Sequence, residues 1–177
     1  KVSMDGQHYF DPHFKSDFNL FRFRDNNYIC HIFVVKRQVA ELAGYFRKEF
    51  DGAQDFDFIF RCCEKAEKII HIPRVLYHWR CHMDSTAADP ESKAYAFEAG
   101  RKAVEEHYKR MGIPAKVEMT ERPGWYRSRL EIQGKPLISV IIPNKDHTED
   151  LELCLSSMAE RTSYENYEVL VVENNSE

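Results

Sequence analysis

The spacing of hydrophobic and polar residues changes several times along this chain, and the changes predict separate helices and strands. The clearest helical stretch begins near Asp55, where hydrophobic side chains recur at helical spacing as far as Ile70 and charged residues take the opposite face. A second helix is predicted from Asp89-Pro90, which supply an N-cap and a first-turn proline, to the residues just before Gly112. Each helix therefore has one apolar stripe to bury.

Shorter elements are predicted on either side of the first of these helices. Residues 1–24 are rich in aromatic side chains without a regular period, and we predict a loop there. Residues 28–35 (YICHIFVV) are β-branched and aromatic, which favours a strand, and residues 36–43 have the pattern of a short helix that Gly44 ends. Another short strand is predicted at residues 75–80, so this half of the chain is expected to contain a sheet.

The C-terminal part of the chain has the pattern of a parallel sheet. Residues 137–143 (LISVIIP) and 167–172 (YEVLVV) are continuous apolar runs typical of strands that are buried on both faces, and a helical spacing begins near Thr148. This order predicts a βαβ unit. Residues 115–136 are predicted to form a polar connector with one strand at 125–132. Helices combined with parallel strands indicate an α/β fold.

A βαβ unit cannot bury both faces of its two strands by itself. We therefore expect this unit to be cut from a larger domain or to dock on another surface. One hypothesis is that it packs on the sheet of the first half, within one chain or by exchange between two chains in a domain-swapped homo-oligomer.

Composition excludes some classes of function. The 25 Lys and Arg residues against 29 Asp and Glu give a net charge of -4, which is the wrong sign for a nucleic-acid partner. No run approaches the roughly 20 apolar residues that span a bilayer, and Lys1 starts neither a signal peptide nor a natural reading frame. The 5 cysteines lack a CxxC pair and are expected to be reduced, as in a cytoplasmic protein. We expect a soluble excerpt of a longer protein.

Several stretches resemble the family 2 glycosyltransferases with the GT-A fold, a Rossmann-like fold of nucleotide-diphospho-sugar transferases. Residues 51–80 (DGAQDFDFIFRCCEKAEKIIHIPRVLYHWR), followed by Ser-Thr-Ala at 85–87, resemble the acceptor-side half of such a domain. The preceding FDPHFKSDFN and NYICHIFVVKR are similar to the segment after the family's metal-binding Asp-x-Asp motif. LISVIIPNKDH and VLVVENNSE resemble the opening strand, helix and second strand of a further GT-A domain.

This resemblance implies a partial GT-A fold in three parts. Residues 1–88 would be the acceptor-side half of one domain, residues 89–136 a helix and connector, and residues 137–177 the N-terminal βαβ unit of a second, truncated domain. The Asp-x-Asp motif is absent and is expected just before Lys1. The isolated chain is therefore expected to be inactive.

The resemblance also implies an activity. Family members transfer a sugar from a nucleotide-diphosphate donor, here a UDP- or dTDP-sugar, to a saccharide acceptor in bacterial surface polysaccharide synthesis. Inversion and a divalent metal, Mn²⁺ or Mg²⁺, are expected. The parent protein would be cytoplasmic, with peripheral association at the inner face of the membrane. The alternative is a non-catalytic carbohydrate-binding or scaffolding module that keeps the fold.

Candidate acceptor-side residues follow from the family's motif. Inverting transfer needs a carboxylate to take the proton from the acceptor hydroxyl, and Asp55 occupies the position of the family's catalytic base. Gln54, where Glu is commoner, is expected to bind the acceptor, as are Asp57 and Trp79. In the alternative reading Asp55 only stabilises the start of its helix. For Asp57 the alternative to acceptor binding is a pairing with Arg61 four residues on, and we favour that pairing.

Donor-side candidates lie at two other places in the sequence. His78 matches a metal-binding His of related metal-dependent transferases, and Arg80 suits phosphate through its planar guanidinium. Asn144 and Glu173 follow two parallel strands and are expected close together, where Glu173 would accept from the nucleotide base or ribose. The alternatives are a His78 packed under Trp79, a surface salt bridge for Arg80 and a solvated turn at Glu173.

Overall fold

A computed structural model of the chain describes residues 1–81 and 94–175. The described residues form two compact units, Lys1–Glu131 and Ile132–Glu177. Helices and strands occur in both units, which confirms the predicted α/β class.

The unit Lys1–Glu131 is mainly helical and ends in a β-hairpin. Its elements in chain order are α1 (Leu20–Asp25), α2 (Arg37–Ala43), a short 3₁₀ helix (Lys48–Phe50), α3 (Gln54–Lys65), α4 (Ala94–Arg110) and the antiparallel strands β1 (Ala115–Met119) and β2 (Tyr126–Leu130). α3 packs against α2 and α4, and α4 also packs against β1. α3 is therefore the central helix.

Aromatic side chains dominate the core of this unit. Phe23 and Phe60 are fully buried with ring centroids 4.4 Å apart, and the ring of Phe56 packs against both. α4 contributes the fully buried Ala103, whose small side chain allows α3 to approach closely. Every residue of α3 from Phe56 to Cys62 is buried, charged residues included. The charged side chains of α3 consequently need partners inside the protein.

The predicted helices around the core are present, with one change of length. α2 ends at Gly44, whose left-handed φ of 82° closes the helix as expected. α3 begins at Gln54 as predicted but ends at Lys65 rather than near Ile70, because the backbone turns extended at Ala66. Ile70 is 71% exposed, so its apolar side chain has no surface in this unit to pack on.

The end of α4 also matches the sequence pattern. The helix stops at Arg110, two residues before Gly112, which has a positive φ of 67°. Its predicted start at Asp89-Pro90 lies outside the described residues, as does the Ser-Thr-Ala sequence at 85–87.

The prediction of a strand at residues 28–35 is wrong, because backbone carbonyls of this segment accept hydrogen bonds from a side chain and not from a neighbouring strand. The ammonium group of Lys15 donates to three consecutive carbonyl groups, those of Ile29 at 2.7 Å, Cys30 at 2.9 Å and His31 at 2.7 Å. His31 has a φ of 55°, which no strand accommodates. A side chain thus replaces a neighbouring strand as the hydrogen-bond partner of this segment.

The predicted strand at residues 75–80 is also wrong. Within residues 1–81, ladder pairing is confined to bridges of Val2 with Tyr9 and with Arg80. Val75 is 66% exposed and finds no sheet to join. The hypothesis that the C-terminal βαβ unit packs on the first half of this chain or of another stays a prediction.

Two elements were not anticipated. Residues 20–25 lie in the predicted N-terminal loop but form α1, which Asn19 caps by accepting a hydrogen bond from the N–H of Arg22. β1 lies in the predicted connector, where β2 was the one strand expected at 125–132. Only Val117 of β1 is buried, so the strand shows little of the alternation that sequence patterns detect.

The unit Ile132–Glu177 contains the predicted βαβ arrangement. β3 (Ile138–Asn144) and β4 (Tyr167–Glu173) are parallel and in register along their whole length, and α5 (Thr148–Arg161) connects them. α5 buries none of its residues within this unit, and Ile141 of β3 is 64% exposed.

Among the described helices, none has both the length and the apolar character needed to cross a membrane.

Candidate functional site

Asp55 lies in the first turn of α3, and hydrogen bonds hold its carboxylate on both oxygens. Oδ1 accepts from the backbone N–H of Phe56 at 2.9 Å, and Oδ2 accepts from Nδ2 of Asn27 at 3.1 Å. The side chain is half-buried, so it remains in contact with solvent. Asp55 therefore sits where a carboxylate could receive a proton from a bound molecule.

Cys30 is the third neighbour of this carboxylate. Burial, the charge of Asp55 and a hydrogen bond to its carboxylate together raise the pKa of the Cys30 thiol to about 12. Cys30 is consequently a neutral thiol at physiological pH and donates to Asp55 instead of acting as a nucleophile.

Gln54 and Asp57, the two predicted acceptor-binding residues of α3, have different surroundings. Gln54 is exposed, and its Oε1 accepts from the N–H of Gly52 at 2.9 Å. The side chain of Asp57 is 0% exposed and forms ion pairs with Arg47 at 2.5 Å and Arg61 at 2.7 Å. The favoured pairing of Asp57 with Arg61 is thus present, whereas acceptor binding by either residue stays a prediction.

The ion pairs of Asp57 tie α3 to the segment before it. Burial alone would raise the pKa of Asp57, but the hydrogen bonds from Arg47 and Arg61 hold that pKa below its ordinary value. Arg61 also donates to the carbonyls of Ala43 and Tyr45. Asp57 therefore works as a structural anion in the folded chain.

His78 and Trp79 lie in an exposed aromatic cluster at the end of residues 1–81. The ring of His78 is 4.6 Å from that of Tyr9. Trp79 meets the ring of His31 edge-on at 5.2 Å, and Tyr77 stacks on the same ring at 5.3 Å. His78 therefore packs on Tyr9, which differs from the expected alternative of packing under Trp79.

Arg80 packs over the N-terminal turn. Its Nη1 donates to the carbonyl of Met4 at 3.2 Å, and its guanidinium lies 3.3 Å from where a side chain on Gly6 would begin. The N–H of Val2 donates to the carbonyl of Trp79 at 2.9 Å, which keeps this segment beside residues 1–9. Phosphate binding by Arg80 stays a prediction.

The described residues do not form a metal site by themselves. In residues 1–81 and 94–175 no group of three or more His, Cys, Asp or Glu side chains is close enough to hold one metal ion. A tight Mn²⁺ or Mg²⁺ site needs several oxygen ligands. His78 as a metal ligand therefore stays a prediction that depends on other residues.

Asn144 and Glu173 meet at the carboxyl end of the parallel strands in the second unit. They are register partners, and Nδ2 of Asn144 donates to Oε2 of Glu173 at 3.0 Å. The N–H of Asn174 donates to the carbonyl of Asn144 at 2.9 Å. The expected proximity is present, while their role in nucleotide binding stays a prediction.

A buried polar network between α1, α3 and α4 was not anticipated. His107 is only 1% exposed. Its Nδ1 is hydrogen-bonded to Oε1 of Glu64 at 2.7 Å, and its Nε2 accepts from Nε of Arg24 at 3.1 Å. Because Nε2 accepts, the ring proton lies on Nδ1 and the imidazole is neutral. The spacing of hydrophobic residues in this helix holds no sign of these partners.

Two curated proteins are similar to this chain over most of its length. The uncharacterized protein y4gI of Sinorhizobium fredii is 42% identical over 169 residues, which cover 94% of this chain and 19% of that protein. The O-antigen biosynthesis protein RfbC of Myxococcus xanthus is 36% identical over 165 residues, covering 93% of this chain and 13% of that protein.

Other comparisons give no match. No family model matches the chain, and no solved structure matches it. The chain spans less than a fifth of the length of the curated relatives it matches, at 19% and 13%. Its similarity is therefore to one part of larger proteins, and one of these is named for O-antigen biosynthesis.

Proposed function

We propose that this chain is part of a glycosyltransferase with the GT-A fold, which transfers a sugar from a nucleotide-diphosphate donor to a saccharide acceptor in surface polysaccharide synthesis. The observation that carries the proposal is the Asp55 carboxylate, held at the start of α3 by Asn27 and still open to solvent. The similarity to an O-antigen biosynthesis protein supports the same class of substrate.

In this proposal Asp55 is the general base. Its carboxylate takes the proton of the acceptor hydroxyl as that oxygen bonds to the anomeric carbon, while the bond from the anomeric carbon to the diphosphate oxygen breaks on the opposite face. The configuration at the anomeric carbon is therefore inverted. Each carboxylate oxygen has two lone-pair positions, so the hydrogen bonds from Phe56 and Asn27 leave room for the incoming proton.

Dependence on a divalent metal is a further part of the proposal. The described residues do not complete a site for Mn²⁺ or Mg²⁺. His78 would bind the ion together with ligands that lie outside the described residues. Calorimetric titration of UDP into the full-length protein tests this directly: Mn²⁺-dependent binding should be lost in His78→Ala and kept in His8→Ala, whose side chain is exposed.

Product analysis tests the activity. The full-length protein is incubated with UDP- and dTDP-sugars and a saccharide acceptor, and the products are separated and weighed by mass spectrometry. We expect an acceptor extended by one sugar, and no such product with Asp55→Asn. Asp51→Asn, an exposed residue of the turn before α3, is the control and should keep activity. Transfer that survives Asp55→Asn would show that the base is elsewhere.

A carbohydrate-binding module without catalysis is the second candidate. Its support is the exposed aromatic cluster, in which Tyr77 and Trp79 are each 44% exposed beside His31. Aromatic rings with one exposed side are suited to an amphipathic ligand such as a sugar. This candidate predicts saccharide binding that Trp79→Ala weakens and that is never followed by transfer.

A further inference from the structure

The loop that carries Asn27 is held unusually firmly for an irregular segment. The Lys15 ammonium donates to the carbonyls of Ile29, Cys30 and His31, all within 2.9 Å. An ammonium group has three donors, so this arrangement uses all of them. The backbone of residues 29–31, which follows Asn27, is therefore fixed by the side chain of Lys15, 14 to 16 positions earlier in the sequence.

The residue after Asn27 anchors the loop from the other side. Tyr28 is 3% exposed and packs edge-on against Phe23 in the core. Its hydroxyl accepts from the N–H of Asn19 at 2.8 Å and lies 3.3 Å from the carbonyl of Asp17, to which it donates. Asn27 consequently sits between a buried ring and a clamped backbone, with little freedom to move.

The orientation of the Asn27 amide follows from its two neighbours. Its Oδ1 accepts from the N–H of Cys30 at 3.3 Å, so its other end must be the Nδ2 donor. That donor lies 3.1 Å from Oδ2 of Asp55. The loop thus presents a donor, not an acceptor, to the carboxylate.

We propose that Asn27 is the positioning residue of the Asp55 carboxylate and that Lys15 holds the loop from which Asn27 acts. This inference rests on the proposed role of Asp55 as the base. Asn27 fixes the rotation of the carboxylate, so that its free lone pairs face one direction.

The charged and titratable groups around Asp55 are few among the described residues. The Cys30 thiol stays protonated there, and the Lys15 charge is satisfied by the three carbonyls. The remaining contacts are the neutral amide of Asn27 and the N–H of Phe56. A change at Asn27 is therefore expected to act on Asp55 directly.

Asn27→Asp is the variant that tests the role of the Asn27 donor most specifically. It keeps the size of the side chain and the oxygen that accepts from Cys30, but it replaces the Nδ2 donor by a second carboxylate oxygen. Asn26→Asp is the matched control, because the same exchange one residue earlier removes only a hydrogen bond from Asn26 to the carbonyl of Gly124. Thermal unfolding of both variants establishes that they fold.

Steady-state kinetics of the full-length protein tests the inference. Asn27→Asp should lower kcat roughly ten- to a hundred-fold. It should also move the acidic limb of the kcat/KM profile to higher pH by about one unit, since a carboxylate that loses a donor and gains a like charge holds its proton more tightly. Asn26→Asp should change neither. A folded Asn27→Asp protein with the kcat and pH profile of the wild type would overturn the inference.

An activity-free measurement separates this inference from the proposed function. The side-chain amide signals of Asn27, assigned by their loss in Asn27→Ala, are followed by NMR in this chain from about pH 7 to about pH 3, the range in which carboxyl groups titrate. They should shift with one carboxyl titration that Asp55→Asn removes. A flat response overturns the positioning inference even if transfer is observed. Full transfer by Asp55→Asn overturns the proposed function even if the amide responds.

Discussion

Two carboxylates of α3, Asp57 and Glu64, show how single charges are held inside this protein. Asp57 is fully buried between Arg47 and Arg61, and Glu64 pairs with His107 and Arg110 at the far end of the helix. A buried charge is tolerated only when its partners stay in place. Each of these acids is therefore expected to matter more for stability than any surface pair.

The Asp57 network gives the first prediction. Asp57→Ala leaves two guanidinium groups without their anion and should lower the free energy of unfolding by about 3–5 kcal/mol. Glu41→Ala is the control, because Glu41 pairs with Arg37 at the same i,i+4 spacing but with side chains 49% and 88% exposed. Urea unfolding of both variants measures the difference. Equal losses would contradict a special role for the buried pair.

Glu64 gives a prediction about pH. Burial by itself would raise the pKa of Glu64, but hydrogen bonds from His107 and Arg110 lower it to about 2. A carboxyl group with a lowered pKa stabilises the fold fully above its unfolded pKa, near 4.5, and this contribution disappears as the pH falls towards 2. The loss should approach about 2–3 kcal/mol.

Unfolding measured against pH, with and without salt, checks this prediction. Glu64→Gln should flatten the dependence of the free energy of unfolding on pH between about pH 5 and pH 2, at any salt concentration. This range spans the pKa of Glu64 in the unfolded chain, near 4.5, and its pKa in the folded chain, about 2. Glu118 is the control, because Lys116 and Arg129 also lower its pKa to about 2 but at the surface, where salt screens the interaction. A Glu64 effect that salt abolishes would mean that the network is open to solvent.

The individual residues differ in how far the sequence could reveal them. The family resemblance located Asp55, and local spacing suggested the pairing of Asp57 with Arg61. Asn27 and Lys15 were not found, because their contacts join residues 28 and 14 to 16 positions apart. Hydrogen bonds over such separations leave no periodic trace in a sequence.

At the level of elements, α4 and the hairpin meet at an unusually close contact. Gly100 lies on the buried face of α4, where an added Cβ would lie 2.0 Å from the hydroxyl oxygen of Tyr126. That hydroxyl donates to the carbonyl of Phe97 at 3.0 Å. The missing side chain of Gly100 is therefore what lets Tyr126 reach the helix backbone.

A substitution at Gly100 tests this packing. Alanine usually stabilises a helix by up to about 1 kcal/mol over glycine. Gly100→Ala should nevertheless lower the melting temperature, because Tyr126 must move and give up its hydrogen bond. Adding Tyr126→Phe removes the closest atom and should recover part of the loss. A Gly100→Ala protein more stable than the wild type would show that the hairpin shifts freely.

The elements that the sequence predicted share one property, which is that the pattern of residues within each element marks it. α2 with its Gly44 cap, the start of α3 and the βαβ unit all follow from the spacing of neighbouring residues. Residues 28–35 and 75–80 have strand-like composition but no neighbouring strand within the part of the chain that the structure describes, and composition cannot show whether a partner exists. β1 escaped notice because it buries a single residue.

On the scale of the whole molecule, the described residues form two units, and one of them holds the catalytic candidate. The unit Lys1–Glu131 holds Asp55 and its donors, and the unit Ile132–Glu177 holds the paired Asn144 and Glu173. The curated relatives extend well beyond the matched region, which accounts for 19% and 13% of their lengths. Catalysis is accordingly proposed for the full-length protein.

The most direct test of the central claim compares the chemical step with donor binding in Asp55→Asn. A general base contributes roughly a hundred- to ten-thousand-fold to a rate, so kcat for sugar transfer by the full-length protein should fall by that factor. The dissociation constant of the nucleotide, measured by calorimetry on the same protein, should stay unchanged. A variant that keeps its kcat, or loses it only because it no longer binds the donor, would contradict the assignment of Asp55 as the base.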